Sequence, residues 1–496
     1  MAGAVLLRGN GFPWAAASAS LEPLSCSWDV TGGPKQAKLR ARGRQMDLAG
    51  WQDRLGNGLE IYNGQGELIW WGYLNRVSQR RGAMRFSASL SEMANRVAVR
   101  YEVMEPGEVF PTHLQTNWAD DLLSQARYGI KERVIEKGKL GNTPANTVRD
   151  LALKELAFPS LRCSPDPRGG GVGVTDSATE LEALGWMETL AWRIFTAAGG
   201  QFGHASPQQG TQVVGAASAS QKLAQPFIAP QTMDLTFVHL RVRKVGAPAD
   251  NLLVRIESDA AGQPSGSVLV SRSLAGSGLN AETYPWTLAP LYPALRVTAG
   301  TRYWLVLGRS GAVSAANHYA LGLDEALGFT EGTCRLFDQS LGKWNRRVPE
   351  ANLLFRAGGT KPTGEQLLDI AQGAGQKFTA VSLNCDTGFS SSPIQRVNQN
   401  ALQVFADILR MGTSRQTKLF AHVDARRQLM ITEQQAEQGA GFHLDLQGRL
   451  RDSAHRLAHP DACSPGSWVS LPSGRRVIVQ AAGRDFANGR DWLTLF

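Results

Sequence analysis

Between residues 233 and 359 the chain is a succession of short strand-forming segments, and this succession constrains the fold more than any other feature. MDLTFVHLRVRKVG, DNLLVRIESDAAGQPSG, GSVLVSRSL, TYPWTL, RVTAGTRYWLVLG, NHYALGL and NLLFRAGG follow one another at nearly regular spacing. Most alternate apolar and polar residues, and turn-forming residues separate them. Period two sends successive side chains to opposite faces. Segments this short bury an apolar face by stacking sheet on sheet, so residues 213–358 are expected to form a β-sandwich of jelly-roll type. TAGTRYWLVLGRSG supplies one core strand, entered through a turn at Ala299-Gly300. Tyr303 and Trp304 are consecutive in it and must face opposite ways.

At 496 residues the chain is too long for one core, and about three domains are expected. The 53 glycines and 23 prolines favour short strands and many turns throughout. Residues 1–110 alternate in AKLRARG, in LEIYNGQGELIWWGYLNRV and in AMRFSASL. Asn63-Gly64 would supply the positive φ of a tight hairpin, and the region is expected to close into a small antiparallel barrel. Residues 111–212 change period. NWADDLLSQARYGIKERVI and TPANTVRDLALKELAFP predict two helices, the second capped by Thr143 or Thr147 and stopped by Pro159. DPRGGGVGVTD is expected to be a loop, TELEALGWMETLAWRIF leans to strand, and 205–222 reads as a linker. Residues 359–496 return to helices, GEQLLDIAQGAG and NQNALQVFADILRMG, followed by hairpins in the style of the first region. The sandwich is therefore expected to interrupt a host fold that starts before it and finishes after it; the neighbouring ends of a compact domain make this easy.

The formal net charge is +9. Its early concentration at Lys35, Lys38, Arg40, Arg42, Arg44, Arg76, Arg80, Arg81 and Arg85 would suit a nucleic-acid groove. No interleaved aromatic pattern accompanies these residues, so a solvated sheet face is the expected reading. The five cysteines (Cys26, Cys163, Cys334, Cys385 and Cys463) are scattered and odd in number, and read as thiols rather than a disulfide framework. The apolar run in MAGAVLLRGN is too short for a secretory signal, and no stretch is long enough to span a bilayer, so synthesis in the cytoplasm is expected.

No complete nucleotide-binding, serine-hydrolase or metalloprotease motif occurs. His455 and His459, with Asp452, Asp461 and Cys463 close by, would share a helix face and hold a metal. Pro460 makes the segment a loop, and no metal site is expected. Asp120 and Asp121 are adjacent, whereas a glycosidase needs facing carboxylates about 5–10 Å apart; a helix start is the expected role. No catalytic residue and no cofactor are expected. The aromatics of the sandwich are the remaining candidates, because sugar rings stack on flat aromatic faces. Trp286, Tyr319, Trp344 and Trp304 are the expected glycan contacts, with core packing the competing role for each.

The flanks resemble the phage tail baseplate hub or tail-associated family in LEIYNGQGELIWWGYLNRV, ADDLLSQARYGIKERVI, FAHVDARRQLMITE and the ending HPDACSPGSWVSLPSGRRVIVQAAGRDFANGRDWLTLF, where Pro465, Gly466 and Val469 match a closing strand pattern. The sandwich resembles the carbohydrate-binding-module-like jelly rolls of phage tail and surface proteins in LRVRKVGAPADNLLVRIESDAAGQPSG, VTAGTRYWLVL and NLLFRAGG. The resemblance implies a mainly β, multidomain chain: tandem hub-type β-barrels with short helices and an inserted jelly roll. It divides the chain into a first barrel (1–110), helices and the start of a second barrel region (111–212), the insert (213–358) and the remainder of the hub fold (359–496). It further implies a structural role in the virion, at a tail tip made in the host cytoplasm. The expected partners are two further copies in a homotrimer, other tail proteins (a distal tail protein, the tube, a fibre or spike) and host cell-surface polysaccharide. DNA would pass nearby without specific binding. The alternatives are a distal tail protein in a hexameric ring, or a glycan-binding protein or glycosidase with an accessory module.

Overall fold

A computed structural model describes residues 2–8, 15–16, 21–41, 48–81, 83–104, 111–165, 179–385, 389–434, 441–447, 449–456, 467–486, 488 and 490–495. The chain is mainly β and multidomain. It divides into two compact units: residues 1–195, 363–389 and 398–496 form the first, and 196–362 with 390–397 the second.

The first unit is assembled from both ends of the chain. Ala2–Arg8 pairs with Gly58–Asn63, which pairs with Leu68–Arg81. Thr179–Leu184 then pairs on one side with Leu68–Arg81 and on the other with Thr31–Ala41. Thr31–Ala41 pairs with Leu21–Asp29, and that strand with Arg476–Asp485, placing Ser25 opposite Asp485. Arg490–Leu495 finishes the series. Each of these ladders is antiparallel. Alternation buries Leu39, Leu59, Ile61, Trp70, Leu74, Val77 and Leu181 on the inner side. The helices Thr363–Ala374 and Ala401–Leu409 complete that core with Leu367, Ile370, Val404 and Phe405.

The barrel expected over 1–110 is not closed by these ladders. Thr179–Leu184 lies between two of its strands, so the early segments cannot close on one another. The hairpin after Tyr62 also differs from expectation. Asn63 does not take positive φ; its side chain accepts from the N–H groups of Gln65 and Glu67, and Gly66 carries the positive φ, +82°. This is the longer glycine-terminated loop that offsets a hairpin by one residue.

Of the first predicted helix, only Leu122–Tyr128 forms. Gly129 at φ +91° ends it, and the β-branched pair Val134-Ile135 continues as Glu132–Lys139, a strand parallel to Arg96–Val103. The second helix, Asn142–Leu156, begins after Gly141 without the expected threonine cap. TELEALGWMETLAWRIF splits into the strand Thr179–Leu184, a 3₁₀ stretch Trp186–Trp192 and the strand Ile194–Ala197. No helix among the described residues is long and apolar enough to cross a membrane.

The second unit is a sandwich of antiparallel sheets. One sheet runs Gln263–Ala275, Asn251–Ala260, Arg302–Arg309, Lys222–Ile228, Arg335–Asp338, Lys343–Arg346. The other is built around Met233–Val245, which pairs with Trp286–Val297, Phe355–Pro362 and His318–Asp324. Leu223, Phe227, Leu252, Val254, Ile256, Leu305 and Leu307 of the first sheet pack with Leu235, Val238, Leu240, Leu321 and Phe355 of the second. The stretch expected as a linker contributes a strand instead: Gly210–Val214 pairs with His318–Asp324 and buries Val214. Its Gln212 and Val213 fit an alternating edge strand despite the small polar residues around them.

Candidate functional site on the sandwich

The strand Arg302–Arg309 shows how the aromatic candidates are disposed. Tyr303 points into the space between the sheets and stacks on Phe227 at 5.7 Å. Trp304 points the other way, yet only 2% of it is exposed. Trp344 packs beside it, the Arg335 guanidinium lies 5.6 Å over its ring, and its indole N–H donates to Asp259 at 2.7 Å. Tyr319 is fully buried, with its hydroxyl donating to the Asp250 carbonyl at 2.7 Å. Burial and the neighbouring Asp250 charge push that hydroxyl up to about 12. Trp304 and Tyr319 therefore cannot present a ring face to a sugar; packing has used both. Trp344 is half-buried against Phe337, 5.2 Å away. Trp304 and Trp344 lie together, whereas Trp286 stands on the other sheet.

Trp286 is half-buried and belongs to a set of cation–π contacts with arginines. It pairs across the ladder with Arg241, whose guanidinium lies 5.3 Å from the ring centre. Arg356, opposite His239 on the next ladder, lies 4.5 Å from the same ring. Arg243 lies 5.2 Å over Tyr284. The signal was present in HLRVRKVG, whose alternation places Arg241 and Arg243 on one face. It went unread because cation–π pairing depends on which strand lies alongside.

Other constellations serve structure. His204 Nε2 lies 2.5 Å from Asp324 and 3.1 Å from the Ser206 hydroxyl. A nucleophilic relay needs the carboxylate and the hydroxyl on opposite ring nitrogens, and here both meet the same one. Asp324 also accepts from the N–H groups of Ala326 and Gly328, which makes it a loop anchor. Asp121 caps the helix Leu122–Tyr128 through Ser124 N–H, and Asp120 accepts from Gln125 and faces Arg96. His459, Asp461 and Cys463 lie outside the described residues. His455 sits at φ +60°, off the helix that its pairing with His459 required, and meets His443 at 3.1 Å. No metal cluster occurs among the described residues. No disulfide joins Cys26, Cys163, Cys334 or Cys385; Cys463 is not described.

Of the early basic residues, Lys35, Arg80 and Arg85 form ion pairs with carboxylates, and Lys38, Arg40 and Arg76 stand across a ladder from one. Glu180 stands opposite Arg40 and pairs with Arg80 and Arg85, at 3.8 and 2.9 Å. Glu182 stands opposite Lys38 on one side and Arg76 on the other, and Lys35 bonds Glu188. Arg42 and Arg44 lie outside the described residues. The strand Thr179–Leu184 thus threads negative charge through the basic face.

No protein-family model matches the chain, and no curated protein matches it. Among solved structures, a 43 kDa tail protein of prophage MuSo2 from Shewanella oneidensis is similar over 55% of this chain and 97% of its own, at 10% identity and TM-score 0.19. A glycoside hydrolase family 43 arabinoxylan arabinofuranohydrolase from Bacillus subtilis, in complex with cellotetraose, is similar over 58% of this chain at 8% identity and TM-score 0.16. The match spans 63% of that enzyme, less than two thirds of its length. A family two carbohydrate esterase from Clostridium thermocellum covers 43% of this chain and 48% of its own, at 10% identity and TM-score 0.14. These are weak likenesses.

Proposed function

We propose that the chain is a structural component of a phage tail tip, a hub that closes the tube, links it to distal fibre or spike proteins, and touches host surface glycans through its inserted sandwich. The observation that carries this reading is the split first unit. Strands from both ends of the chain share one sheet series around a sandwich placed between them in sequence. Such a unit builds its core without residues of the insert. The series ends on Arg490–Leu495, which pairs on one side only among the described residues and leaves Trp492 45% exposed. An exposed edge is a template for pairing with another chain, and a ring satisfies every such edge by symmetry.

In this reading function is geometry. The first unit sets the ring, and several sandwiches held together convert weak single contacts into firm attachment. No catalytic role is assigned. Class averages of the purified chain by negative-stain electron microscopy test the proposal. Rings of threefold symmetry are expected. Sixfold rings would favour a distal tail protein, and isolated single bodies would overturn the assembly role.

A further inference from the structure

We propose that the face of the sandwich carrying Arg241, Arg243, Arg356 and Trp286 binds an anionic polysaccharide through its carboxylates, which rests on reading the sandwich as the glycan-contacting part. Three guanidinium groups share one outer sheet face with Trp286 and Tyr284. None of the three forms an ion pair with a carboxylate among the described residues. The same unit shows the contrast: Arg309 is held by Asp250 at 2.8 Å, Arg347 by Glu325 at 3.2 Å, Arg346 by Glu350 at 3.0 Å and Arg296 by Asp234 at 3.3 Å.

Two of the three arginines are nevertheless held by hydrogen bonds, and the third, Arg356, lies against the Trp286 ring. Arg241 donates to the Tyr284 carbonyl at 3.2 Å and Arg243 to the Ala281 carbonyl at 3.0 Å. Their Nε–H groups are buried without a partner. Arg356 is exposed, and its guanidinium makes no hydrogen bond to another described residue; its backbone is fixed in the ladder opposite His239. A guanidinium has five donors in a planar fork, so most donors on this face are unused, while each cation lies within about 6 Å of an aromatic ring that attracts it. This is the preorganised form of bidentate carboxylate recognition.

The same geometry selects the ligand. With two guanidiniums over its ring, Trp286 orients cations and is not free to stack a neutral sugar. Base stacking on single-stranded nucleic acid requires a free ring face too. A duplex needs a track of phosphate contacts, and this face occupies only two or three cross-strand positions around His239 and Arg241. A polysaccharide with one carboxylate per sugar residue, as in a polyuronate, fits a compact cluster of forks flanked by the exposed Leu288.

The test is binding of the full chain to immobilised polygalacturonate, to its fully methyl-esterified form and to duplex DNA, in the same buffer. Polygalacturonate is expected to bind, with its methyl ester and DNA at least about tenfold weaker. Arg356→Ala with Arg243→Ala is expected to lower polygalacturonate affinity about tenfold, while Arg356→Lys alone costs less because it keeps charge but not the fork. Equal binding of acid and ester, tighter binding of DNA, no binding of polygalacturonate, or no effect of the double substitution would each overturn the proposal. Electron-microscopy class averages of the same samples separate this from the hub reading: intact rings without polyuronate binding sink only the ligand, and binding by single bodies sinks only the hub.

Discussion

Lys131 is buried against the ring of Trp192, its ammonium 4.6 Å from the ring centre, with Lys377 at 5.7 Å from the same ring. Burial, reinforced by Arg133, holds Lys131 down at about 7 instead of its ordinary 10.5. The unfolded chain therefore binds more protons than the folded one between pH 7 and pH 10.5. Stability contributed through this residue rises with pH across that window, and the penalty is complete below it. The cation–π contact returns about 1 kcal/mol, less than desolvation takes. Lys131→Met is expected to stabilise the protein by about 1–3 kcal/mol at pH 6 and to flatten the slope above pH 7. Urea unfolding across pH measures both, and a less stable variant at pH 6 would contradict the account. Arg309 and Asp250 show the opposite balance. Burial pushes the Asp250 carboxyl up, but the Arg309 bonds and the Gly311 N–H outweigh it and hold it below the ordinary carboxylate range. Arg309→Met leaves that half-buried carboxylate with the Gly311 N–H but no cation, and is expected to cost about 2–4 kcal/mol in thermal or urea unfolding. Single residues were the least legible level of the sequence. The opposed directions of Tyr303 and Trp304 follow from strand period. That Trp304 is nevertheless covered depends on Trp344 and Arg335, which reach it from strands about thirty to forty residues further along the chain.

Elements were legible where pattern is local. The helices Thr363–Ala374 and Ala401–Leu409 and the strand pair Leu419–Val423 and Gln428–Glu433 fall where periodicity puts them. The partners of strands were not legible, because pairing is set by distant segments. Thr179–Leu184 is the case in point: its alternation suggests a strand, but nothing local says that it separates Thr31–Ala41 from Leu68–Arg81. That placement has a steric signature. A Cβ on Gly185 would stand 1.6 Å from the Pro34 carbonyl oxygen, and one on Gly72 would stand 2.1 Å from the Leu184 carbonyl oxygen. Both obstacles are backbone and cannot rotate away. Gly185→Ala is expected to cost more than about 3 kcal/mol, whereas Gly66→Ala, at positive φ but in open space, costs about 1 kcal/mol. Equal losses in urea unfolding would contradict the strand order.

At the scale of the whole molecule, strands from opposite ends of the chain pair in the first unit, and the second unit is interposed between them in sequence. The interruption itself was legible, because the strand-rich run from 233 differs so sharply from the helical segments around it. The start of the second unit at 196 was not, since Gln201–His204 and Gly210–Val214 are short and lie in polar sequence. The arginine face was legible only as alternation. The tail-tip role turns on self-assembly, and the mass of the purified full chain in solution tests it most directly. Light scattering at micromolar concentration is expected to give three times the mass of one chain, unchanged by the Arg243→Ala and Arg356→Ala substitutions. A single-chain mass across that range would contradict the hub account.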